Sequence, residues 1–483
     1  MRRFLVILLT TVLVTPTAAA RASTAAEPSP DPTVTTTSEP SPDPTPEPTT
    51  EPDPVEPEPT DPPPTTPSPT VTLDVTTVRV WARTTAALAG RVDGASPTSA
   101  LRVARRSGDR WTALAGTSVV TGSDGRFTAR VPAAAGRTTV RVELVDAGAV
   151  VAASAPADVV GAAAPSTARI AMPKAVTDYR KAKVAASWRT VDGRAVSARL
   201  AVEFRRSGTR TWVRSGTVTL RNGKGSTFVK PRYDGRWRVR SFGTSTVLPT
   251  RSSSVYVDNR PPGSVIRLPK GTPGPRIRLA AQPRAPRVSA DATVSRIPTA
   301  MWRSMRGRSW HAGCPVGRDQ LRVVRVSYWA FDGYVRRGEI VVHAQHARAT
   351  AAVFTDLFRM RAPIRSMYRV DRFGWSSALR GADDYASMRA DNTSGFNCRQ
   401  VVGRPGTRSP HAYGNSIDIN PWENPFASGY GWTPNSTWQR RTTPAAITYR
   451  GANDPVVAVL RRHGFRWLGF ADLHHFRAAP CAC

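Results

Sequence analysis

The sequence predicts a multidomain protein, with two immunoglobulin-like β-sandwiches followed by an α+β domain that has a small antiparallel sheet. The chain of 483 residues is too long for one ordinary domain, at roughly 100 to 200 residues per domain. Its first half contains motifs that recur at an offset of about 100 residues. All seven His and all four Cys lie beyond residue 300, so the side chains suited to catalysis or metal binding are confined to the last part.

The N-terminus has the pattern of an export signal. Arg2 and Arg3 precede a largely apolar run over residues 4–14, and small residues follow at positions 18–22. The run is too short to span a bilayer, which takes ~20 apolar residues, and no other segment approaches that length. The sequence therefore predicts a signal peptide over residues 1–22, an exported protein and no membrane span. Export makes the Cys residues candidates for disulfide bonds.

Residues 23–70 alternate Pro with Thr, Ser, Glu and Asp. A segment of this composition cannot bury a core, because it has few apolar side chains to offset the entropy lost on folding. We expect a disordered, extended and charged spacer of polyproline-like conformation, which gives the folded part reach.

Residues 71–161 and 166–260 have the pattern of two copies of one β-rich unit. The matching motifs are Val92-Asp93-Gly94 with Val191-Asp192-Gly193, and Arg105-Arg106-Ser107-Gly108 with Arg205-Arg206-Ser207-Gly208. Short alternating segments between turn signals, in units of roughly 100 residues, are typical of immunoglobulin-like sandwiches. Neither unit contains a cluster of ionisable side chains with an evident chemistry, which leaves a binding role and a passive spacing role open.

Residues 261–290 are rich in Pro and Arg and predict a second linker, and residues 291–483 predict the α+β domain. Apolar residues at helical spacing predict a helix near 344–360. A second helix is expected to begin at Pro455 and to end before Gly464. Strand-like segments lie at 321–329, 338–342 and 465–468.

The net charge of +33 is compatible with nucleic acid, a membrane surface or anionic wall polymers as partners. Only six of the 68 cationic residues are Lys, and the Arg residues are spread along the chain instead of forming one patch. No aromatic-basic motif and no known nucleic-acid-binding module accompanies this charge, so we expect no nucleic-acid partner.

The densest group of chemistry-bearing residues is segment 409–420, with His411 and Asp418, together with Asp472 and His475 near the end. His and Asp side chains gathered in short segments suit zinc, which takes three protein ligands and a water in catalytic sites. A further carboxylate can then serve as general base. The sequence lacks a G-x-S-x-G elbow and an H-E-x-x-H motif, which excludes two common alternatives.

These motifs resemble bacterial zinc peptidases of the D-alanyl-D-alanine carboxypeptidase and L-alanyl-D-glutamate endopeptidase type, over roughly residues 300–478. The family pattern S-x-H-x-x-G-x-A-x-D is present from Ser409 to Asp418, with Ser416 in place of Ala. An acid three residues before a second His follows near the C-terminus, as in that family. Further matches are Val341-Val342, Pro363-Ile364, Asp383-Asp384, Ser387-Met388, residues 392–399, Asn420-Pro421 and Asn424-Pro425.

The resemblance implies a zinc metallopeptidase that hydrolyses peptidoglycan stem peptides and is secreted or associated with the cell wall. His411, Asp418 and His475 would then bind zinc. Asp472 would act as general base toward the metal-activated water and later as acid toward the leaving amine. Arg399 would face the substrate and stabilise developing negative charge. The alternative is a non-catalytic wall-binding or adhesin protein with a relic peptidase domain, although a relic need not keep all five residues.

The resemblance leaves the cleaved bond open. The general description of this domain type favours D-alanyl-D-alanine carboxypeptidase activity. The Asp-x-x-His-Phe ending, which closes at Phe476, resembles the endopeptidase branch instead.

Strand periodicity favours a different third ligand. In a regular strand Asp472 shares a face with His474, whereas the family pattern selects His475 and requires Asp472 to lie at a turn or strand end. We follow the family pattern, which makes His474 an outward residue or one that supports a ligand.

The remaining His residues and one acid have mainly structural interpretations. His343 and His346 lack a carboxylate partner and are expected at a solvated helix start. His463 suits a helix C-terminus. His311 is expected in a loop, and Glu423 either supports the site or is exposed.

The four Cys allow three pairings. A Cys481–Cys483 bond would close a very short loop with poor geometry. We therefore expect Cys314 and Cys398 each to bond one of these two Cys of the tail.

Overall fold

The computed structural model describes residues 68–443 and 446–478. By their contacts, the described residues all belong to one compact unit. The predicted signal peptide, most of the predicted spacer and the two Cys of the tail lie outside the described residues. None of the helices in the described ranges is long and apolar enough to cross a membrane.

The first group of strands forms two facing sheets. Its strands are β1 (Thr70–Leu73), β2 (Thr77–Trp81), β3 (Thr85–Asp93), β4 (Ala100–Ser107), β5 (Arg110–Ala113), β6 (Ser118–Thr121), β7 (Arg126–Pro132), β8 (Gly136–Asp146), β9 (Ala149–Ala153) and β10 (Ala157–Ala162). One sheet has the order β1-β3-β7-β6, and the other β2-β10-β8-β4-β5 with β9 beside β8. Strands β2 and β10 run parallel. Apolar side chains from both sheets, among them Leu88, Phe127 and Val142, form one buried cluster between them.

The second group repeats this arrangement. Its strands are β11 (Ser166–Ala171), β12 (Ala175–Thr177), β13 (Ala182–Thr190), β14 (Arg199–Arg206), β15 (Val213–Thr219), β16 (Lys224–Val229), β17 (Gly235–Ser241), β18 (Thr250–Arg251) and β19 (Val255–Arg260). The sheets have the orders β11-β13-β16 and β12-β19-β17-β14-β15, with β18 beside β17. Again the second strand pairs in parallel with the last. The shared topology accounts for the recurring motifs, and the immunoglobulin-like assignment stays a prediction.

Strand β3 illustrates how the sequence selects the face that each strand buries. Every second residue from 86 to 92 is buried and those between are exposed, as expected for a strand with one face toward the core. Gly90 is required on the buried face, because a Cβ there would lie 2.2 Å from the Thr72 carbonyl oxygen and 2.6 Å from the Phe127 ring.

Residues 261–290, predicted as a linker, contain no regular helix or strand but pack against the regions on either side. Ala285 is fully buried, and its N–H donates to the Val335 carbonyl at 2.9 Å. Its carbonyl accepts a hydrogen bond from the Tyr179 hydroxyl at 2.9 Å. Because Tyr179 belongs to the second sandwich and Val335 to the C-terminal region, Ala285 connects the two.

Asp178, buried in the second sandwich, stabilises the contact between this sandwich and residues 261–290 through ion pairs. Its Oδ1 accepts from Arg232 Nε at 2.7 Å, and its Oδ2 lies 3.6 Å from a guanidinium nitrogen of Arg284. The Arg284 guanidinium also lies over the Tyr334 ring of the C-terminal region, 3.5 Å from the centroid. One buried carboxylate thus holds two cations, one of them from residues 261–290.

Asp178→Ala is expected to destabilise this contact by about 3 kcal/mol, the lower end of the cost of breaking a buried ion pair, because Arg232 keeps some exposure to water. The loosened contact should also expose residues 261–290 to proteases. Unfolding in guanidinium, monitored by Trp fluorescence, measures the loss of stability. Limited proteolysis measures the exposure of residues 261–290. The matched control is Asp258→Ala, which removes the exposed partner of Arg260 and should cost less than about 1 kcal/mol. Equal behaviour of the two variants would contradict the account.

The C-terminal region combines short sheets with helices. Its strands are β20 (Thr293–Arg296), β21 (Leu321–Trp329), β22 (Val335–His343), β23 (Trp375–Ser376), β24 (Gly381–Ala382), β25 (Gln400–Val401), β26 (Arg404–Arg408), β27 (Ser416–Asp418), β28 (Phe426–Ser428), β29 (Gly431–Thr433), β30 (Phe465–Trp467) and β31 (His475–Ala478). Its α-helices are α1 (Thr299–Met305), α2 (Ala347–Arg359), α3 (Asp384–Arg389) and α4 (Pro455–Arg462). Short 3₁₀ turns are Arg318–Gln320, Ala344–His346, Val370–Phe373, Pro410–Tyr413 and Gly469–Ala471.

Helix α2 packs on the sheet β20-β21-β22 and forms the main core of this region. Its buried face includes Val353, Phe354 and Leu357, at the spacing of a helix with one apolar side. The helix predicted near 344–360 is therefore present, preceded by a 3₁₀ turn. Helix α4 begins at Pro455 as predicted and packs against α2 and β30. A second sheet of order β27-β31-β30 lies at the edge of this core and carries the residues described next.

Candidate metal centre and active site

Strands β27 and β31 bring two of the predicted ligands together. The antiparallel register places Asp418 directly opposite His475, where side chains on the same face are neighbours. The third, His411, lies in the 3₁₀ turn Pro410–Tyr413, and its N–H donates to the Ser409 hydroxyl at 3.3 Å. The motif residue Ser409 thus caps the turn that presents the ligand.

Gly414 ends this turn because the chain needs a residue there without a side chain. Its φ is +70°, in the left-handed region that favours glycine. A Cβ on Gly414 would lie 2.6 Å from the His343 backbone nitrogen of β22. The glycine of the sequence motif therefore lets the ligand-bearing turn pack directly on the central sheet.

The three candidate ligand atoms form a compact triangle. His411 Nε2 lies 3.1 Å from Asp418 Oδ2 and 3.1 Å from His475 Nδ1, and His475 Nδ1 lies 3.0 Å from Asp418 Oδ1. A tetrahedral zinc with bonds of 2.0–2.1 Å separates its ligands by roughly 3.3 Å. All three residues are at most 5% exposed. The spacing and burial are those of a metal-binding group.

The hydrogen bond on the far side of His411 fixes which ring nitrogen faces Asp418. His411 Nδ1 lies 2.7 Å from the Gly395 carbonyl, which can only accept, so Nδ1 carries the proton. In the neutral ring Nε2 then presents a lone pair toward the Asp418 carboxylate. Two electron-rich atoms at 3.1 Å repel, so either a proton on Nε2 or a metal cation has to lie between them. This arrangement, with an outer carbonyl fixing the tautomer, is typical of a metal-binding His.

Asp418 is poised to remain ionised. Burial by itself raises its pKa, but the neighbouring His411 and His474 rings and hydrogen bonds from His411 and His475 outweigh burial. The pKa of Asp418 therefore lies well below its ordinary value, and the group offers a carboxylate at neutral pH.

Asp472 borders the triangle without closing it. It follows the 3₁₀ turn Gly469–Ala471, outside strand β31, so it lies at the turn that the family pattern requires. Its Oδ2 is 4.0 Å from His475 Nδ1. Burial, the largest influence, raises the pKa of Asp472 above its ordinary value. A carboxyl with a raised pKa beside a metal-binding group suits an acid–base role.

His474 is 3% exposed, so of the two alternatives for this residue the outward side chain is wrong and a supporting role remains. Its Nδ1 donates to the Asn424 carbonyl at 2.6 Å, and its Nε2 lies 3.3 Å from Asp472 Oδ1. Burial lowers the pKa of His474, but the charges of Asp472 and Asp418 outweigh burial and raise it. The ring therefore supports Asp472 and lies 3.8 Å from Asp418, farther than the other two rings.

Arg399 lines the same cavity, and it is paired there with Asp384, which was not among the predicted site residues. Its guanidinium lies 2.6 Å from a carboxylate oxygen of Asp384, the first residue of α3, and both side chains are buried. Its Nε is buried without a hydrogen-bond partner among the described residues. Gly381 allows this packing, because a Cβ there would lie 2.6 Å from Arg399 Cβ.

A cavity of about 290 Å³ opens onto these groups. The triangle, Asp472, His474, Asp384 and Arg399 line one side. Residues 426–429, at the hairpin of β28 and β29, line another. The structure brings all five predicted site residues to this one cavity, and their roles as ligands and catalytic groups stay predictions.

Cys314 and Cys398 are bonded to each other, so the prediction that each bonds a Cys of the tail is wrong. The loop that brings Trp302 and Trp310 together also places Cys314 beside the segment that precedes Arg399. The spacing of the four Cys along the sequence does not reveal this packing. Choosing the pairs by excluding the Cys481–Cys483 bond therefore gave the wrong result. The bond braces the residue directly before Arg399.

Removing this bond should be costly because it closes a loop of 84 residues. The chain-entropy model gives about 4.5 kcal/mol for a loop of that size. We expect Cys314→Ser/Cys398→Ser to lose about that much stability in denaturant unfolding, while Cys481→Ser/Cys483→Ser loses little. Non-reducing peptide mapping should recover the 314–398 link. A link from either residue to the tail would contradict the structure.

The other candidates have structural surroundings. His343 is half-buried and His346 is buried, so the helix start is not solvated as expected. His463 Nε2 lies 2.9 Å from Asp356 Oδ2 of α2, which gives it a bridging role between helices. His311 lies in a loop as predicted. Glu423 is fully buried and paired with Arg365 at 2.7 Å, so it is not exposed.

His411, Asp418 and His475 form a buried group that could hold a metal ion, with the Asp472 carboxylate beside it. Residues 403–478 match the family model of D-alanyl-D-alanine carboxypeptidase, which confirms the predicted resemblance for the C-terminal domain. The match lies within the C-terminal domain and covers none of the two sandwiches.

Other comparisons add little. No curated protein matches the chain. The InvE adhesin of Yersinia pseudotuberculosis is similar with a TM-score of 0.25 and 12% identity, over 39% of this chain and 58% of the adhesin. A marsupial T cell receptor is similar with a TM-score of 0.17 and 11% identity, over 39% of this chain and 100% of the receptor chain. Scores at this level establish no common fold.

Proposed function

We propose that this protein is an exported zinc metallopeptidase that hydrolyses peptidoglycan stem peptides. The observation that carries the proposal is the buried triangle of His411, Asp418 and His475, with Asp472 beside it, inside the segment that matches the peptidase family. The family description supports the peptide substrate. The N-terminal signal pattern supports export and a position in or near the cell wall.

The donor set fits zinc better than the other common ions. Two imidazole nitrogens and one carboxylate are ligands that zinc accepts, and three protein ligands leave one position open. Calcium and magnesium prefer sites made of oxygen atoms. When bound, zinc supplies a Lewis acid that lowers the pKa of water to about 7 and polarises a carbonyl group.

The residues of the chain have distinct parts in the proposed hydrolysis. Asp472 accepts the proton of the attacking water and later gives it to the amine that leaves. His474, 3.3 Å from Asp472, holds that carboxylate in place. Arg399 donates to the carbonyl oxygen of the substrate as negative charge develops there, and Asp384 fixes its direction. Preorganised donors of this kind cost no rearrangement during the reaction.

The cleaved bond is best assigned first to the terminal D-alanine, because the matching family is described as D-alanyl-D-alanine carboxypeptidase. The second candidate is the bond between L-alanine and D-glutamate, which the Asp-x-x-His-Phe ending at His475 and Phe476 favours. Both reactions use the same groups and differ only in how the peptide lies in the cavity.

Mass spectrometry of a free pentapeptide stem incubated with the full-length protein tests the proposal. Release of D-alanine alone supports the carboxypeptidase, and a new D-glutamate N-terminus supports the endopeptidase. Asp472→Asn serves as the control for a contaminating peptidase, because it should release neither. A zinc-loaded protein that leaves both the pentapeptide and intact peptidoglycan uncut would favour the non-catalytic wall-binding alternative.

A further inference from the structure

A second cavity, of about 240 Å³, shares Arg399 with the candidate active site. Its lining combines residues 311–313 with residues of the β25–β26 hairpin. Three arginines contribute to this lining, Arg380, Arg399 and Arg408, and no Asp or Glu does. Like charges gathered at one surface repel each other unless an anion joins them.

The donors of these arginines are only partly used. Arg408 donates to the Gly313 carbonyl at 3.0 Å, and no ion pair involves it within the described ranges. Arg380 is exposed, and neither a hydrogen bond nor an ion pair of its side chain occurs among the described residues. Arg399 has one terminal nitrogen paired with Asp384 and the other donating to the Gln400 carbonyl at 3.0 Å, and its Nε is buried without a partner among the described residues. The N–H groups that this cavity offers to a ligand are therefore mainly those of Arg380 and Arg408, at the margin of the candidate catalytic residues.

A disulfide bond and several hydrogen bonds fix the segments that surround the second cavity. The Cys314–Cys398 disulfide joins two of its walls. The His311 Nε2 atom lies 3.1 Å from the Cys398 carbonyl, and the Gly406 N–H donates to Gln400 Oε1 at 3.1 Å. Arg380 has a φ of +48°, an uncommon conformation for a residue with a long side chain. Backbone strain of this kind persists where the surrounding structure imposes it, often at binding sites.

The chemistry of the cavity selects a carboxylate as its ligand. Guanidinium groups bind carboxylates through paired, charge-assisted hydrogen bonds, and arginine keeps its charge at any physiological pH. A stem peptide carries a carboxylate on its D-glutamate as well as at its C-terminus. Because Arg399 belongs to the lining of both cavities, a peptide in the catalytic cavity that continued past Arg399 would reach the second one.

We propose that Arg380 and Arg408 form a subsite, continuous with the active site through Arg399, that binds a second carboxylate of the peptide substrate. This inference rests on the proposed function. It assigns Arg380 and Arg408 to substrate selection, whereas Arg399 acts at the reacting carbonyl. Substrates that carry an amide in place of this carboxylate should bind more weakly.

The test compares two pentapeptide stems that differ only at D-glutamate, one with a free α-carboxylate and one with an α-carboxamide. A charge-assisted hydrogen bond lost at this subsite corresponds to roughly 10- to 100-fold in affinity. We expect the unmodified protein to prefer the carboxylate form by about that factor in KM, with kcat little changed. Arg380→Gln/Arg408→Gln should remove the preference by weakening the carboxylate form alone. Arg348→Gln, an exposed arginine on α2 that lines neither cavity, is the matched control.

Binding measured by calorimetry separates this proposal from the proposed function. Full-length Asp472→Asn provides a protein expected to bind both peptides without cutting them. A carboxylate preference that the double variant abolishes supports the subsite, even if the unmodified protein cleaves neither peptide and the proposed function fails. Equal binding of the two peptides, or equal weakening of both in the double variant, overturns the subsite while leaving the peptidase proposal intact.

Discussion

Replacing Asp472 by Asn is expected to lower the rate of peptide cleavage about 100- to 10,000-fold, the usual contribution of a general base. Bound zinc should stay at the level of the unmodified protein, because Asp472 lies outside the triangle of ligand atoms and 4.0 Å from the nearest of them. Asn keeps the size of the side chain and removes only its ability to accept a proton. The loss should therefore fall on kcat.

Cleavage assays on the pentapeptide stem, with zinc measured on the same samples, provide the comparison. Asp356→Asn is a suitable control, because Asp356 also contacts a His, at 2.9 Å, but lies on α2 away from the cavity. It should cleave at nearly the normal rate. An Asp472→Asn variant that keeps its activity, or that loses its zinc, would show that the role of Asp472 is assigned wrongly.

His411→Ala and His475→Ala are each expected to lose zinc and, with it, activity. Loss of a residue that merely supports a metal ligand costs 10- to 100-fold in affinity, so loss of a ligand should exceed about 100-fold. His474→Ala should retain zinc, because the His474 ring faces Asp472 and Asn424 and not the centre of the triangle. Its defect should resemble a weakened form of Asp472→Asn.

Equilibrium dialysis against zinc, followed by elemental analysis, distinguishes the three variants. His463→Ala removes a less buried His that pairs with Asp356 and does not line the cavity, and it should bind zinc normally. Zinc retained by His475→Ala and lost by His474→Ala would support the ligand that strand periodicity favours over the one that the family pattern selects.

The sequence predicted which candidate ligands would lie together because they lie in short motifs whose spacing is set locally. Ser409 caps the turn of His411, Gly414 ends it, and Asp418 follows at the start of the pairing with His475. Each of these features depends on only a few neighbouring residues, so the sequence motif nearly determines where the candidate ligands lie. The repeat of the two sandwiches was likewise visible, because both copies keep their turn residues at the same offset.

Contacts between distant segments were not predictable in the same way. The Cys314–Cys398 bond depends on how the loop after α1 packs against the core of the C-terminal region. The pairing of Arg399 with Asp384 depends on helix α3, and neither residue signals the other in the sequence. Burial of Glu423 beside Arg365 has the same origin. Long-range packing decides these features, and residue spacing does not report it.

The central claim is that His411, Asp418 and His475 together hold one zinc ion. Crystals of the full-length protein grown with zinc, measured on both sides of the zinc absorption edge, test it most directly. We expect one strong anomalous peak, about 2.0–2.1 Å from His411 Nε2, an Asp418 oxygen and His475 Nδ1. A peak bonded to His474 in place of His475, or no peak within the triangle, would contradict the account.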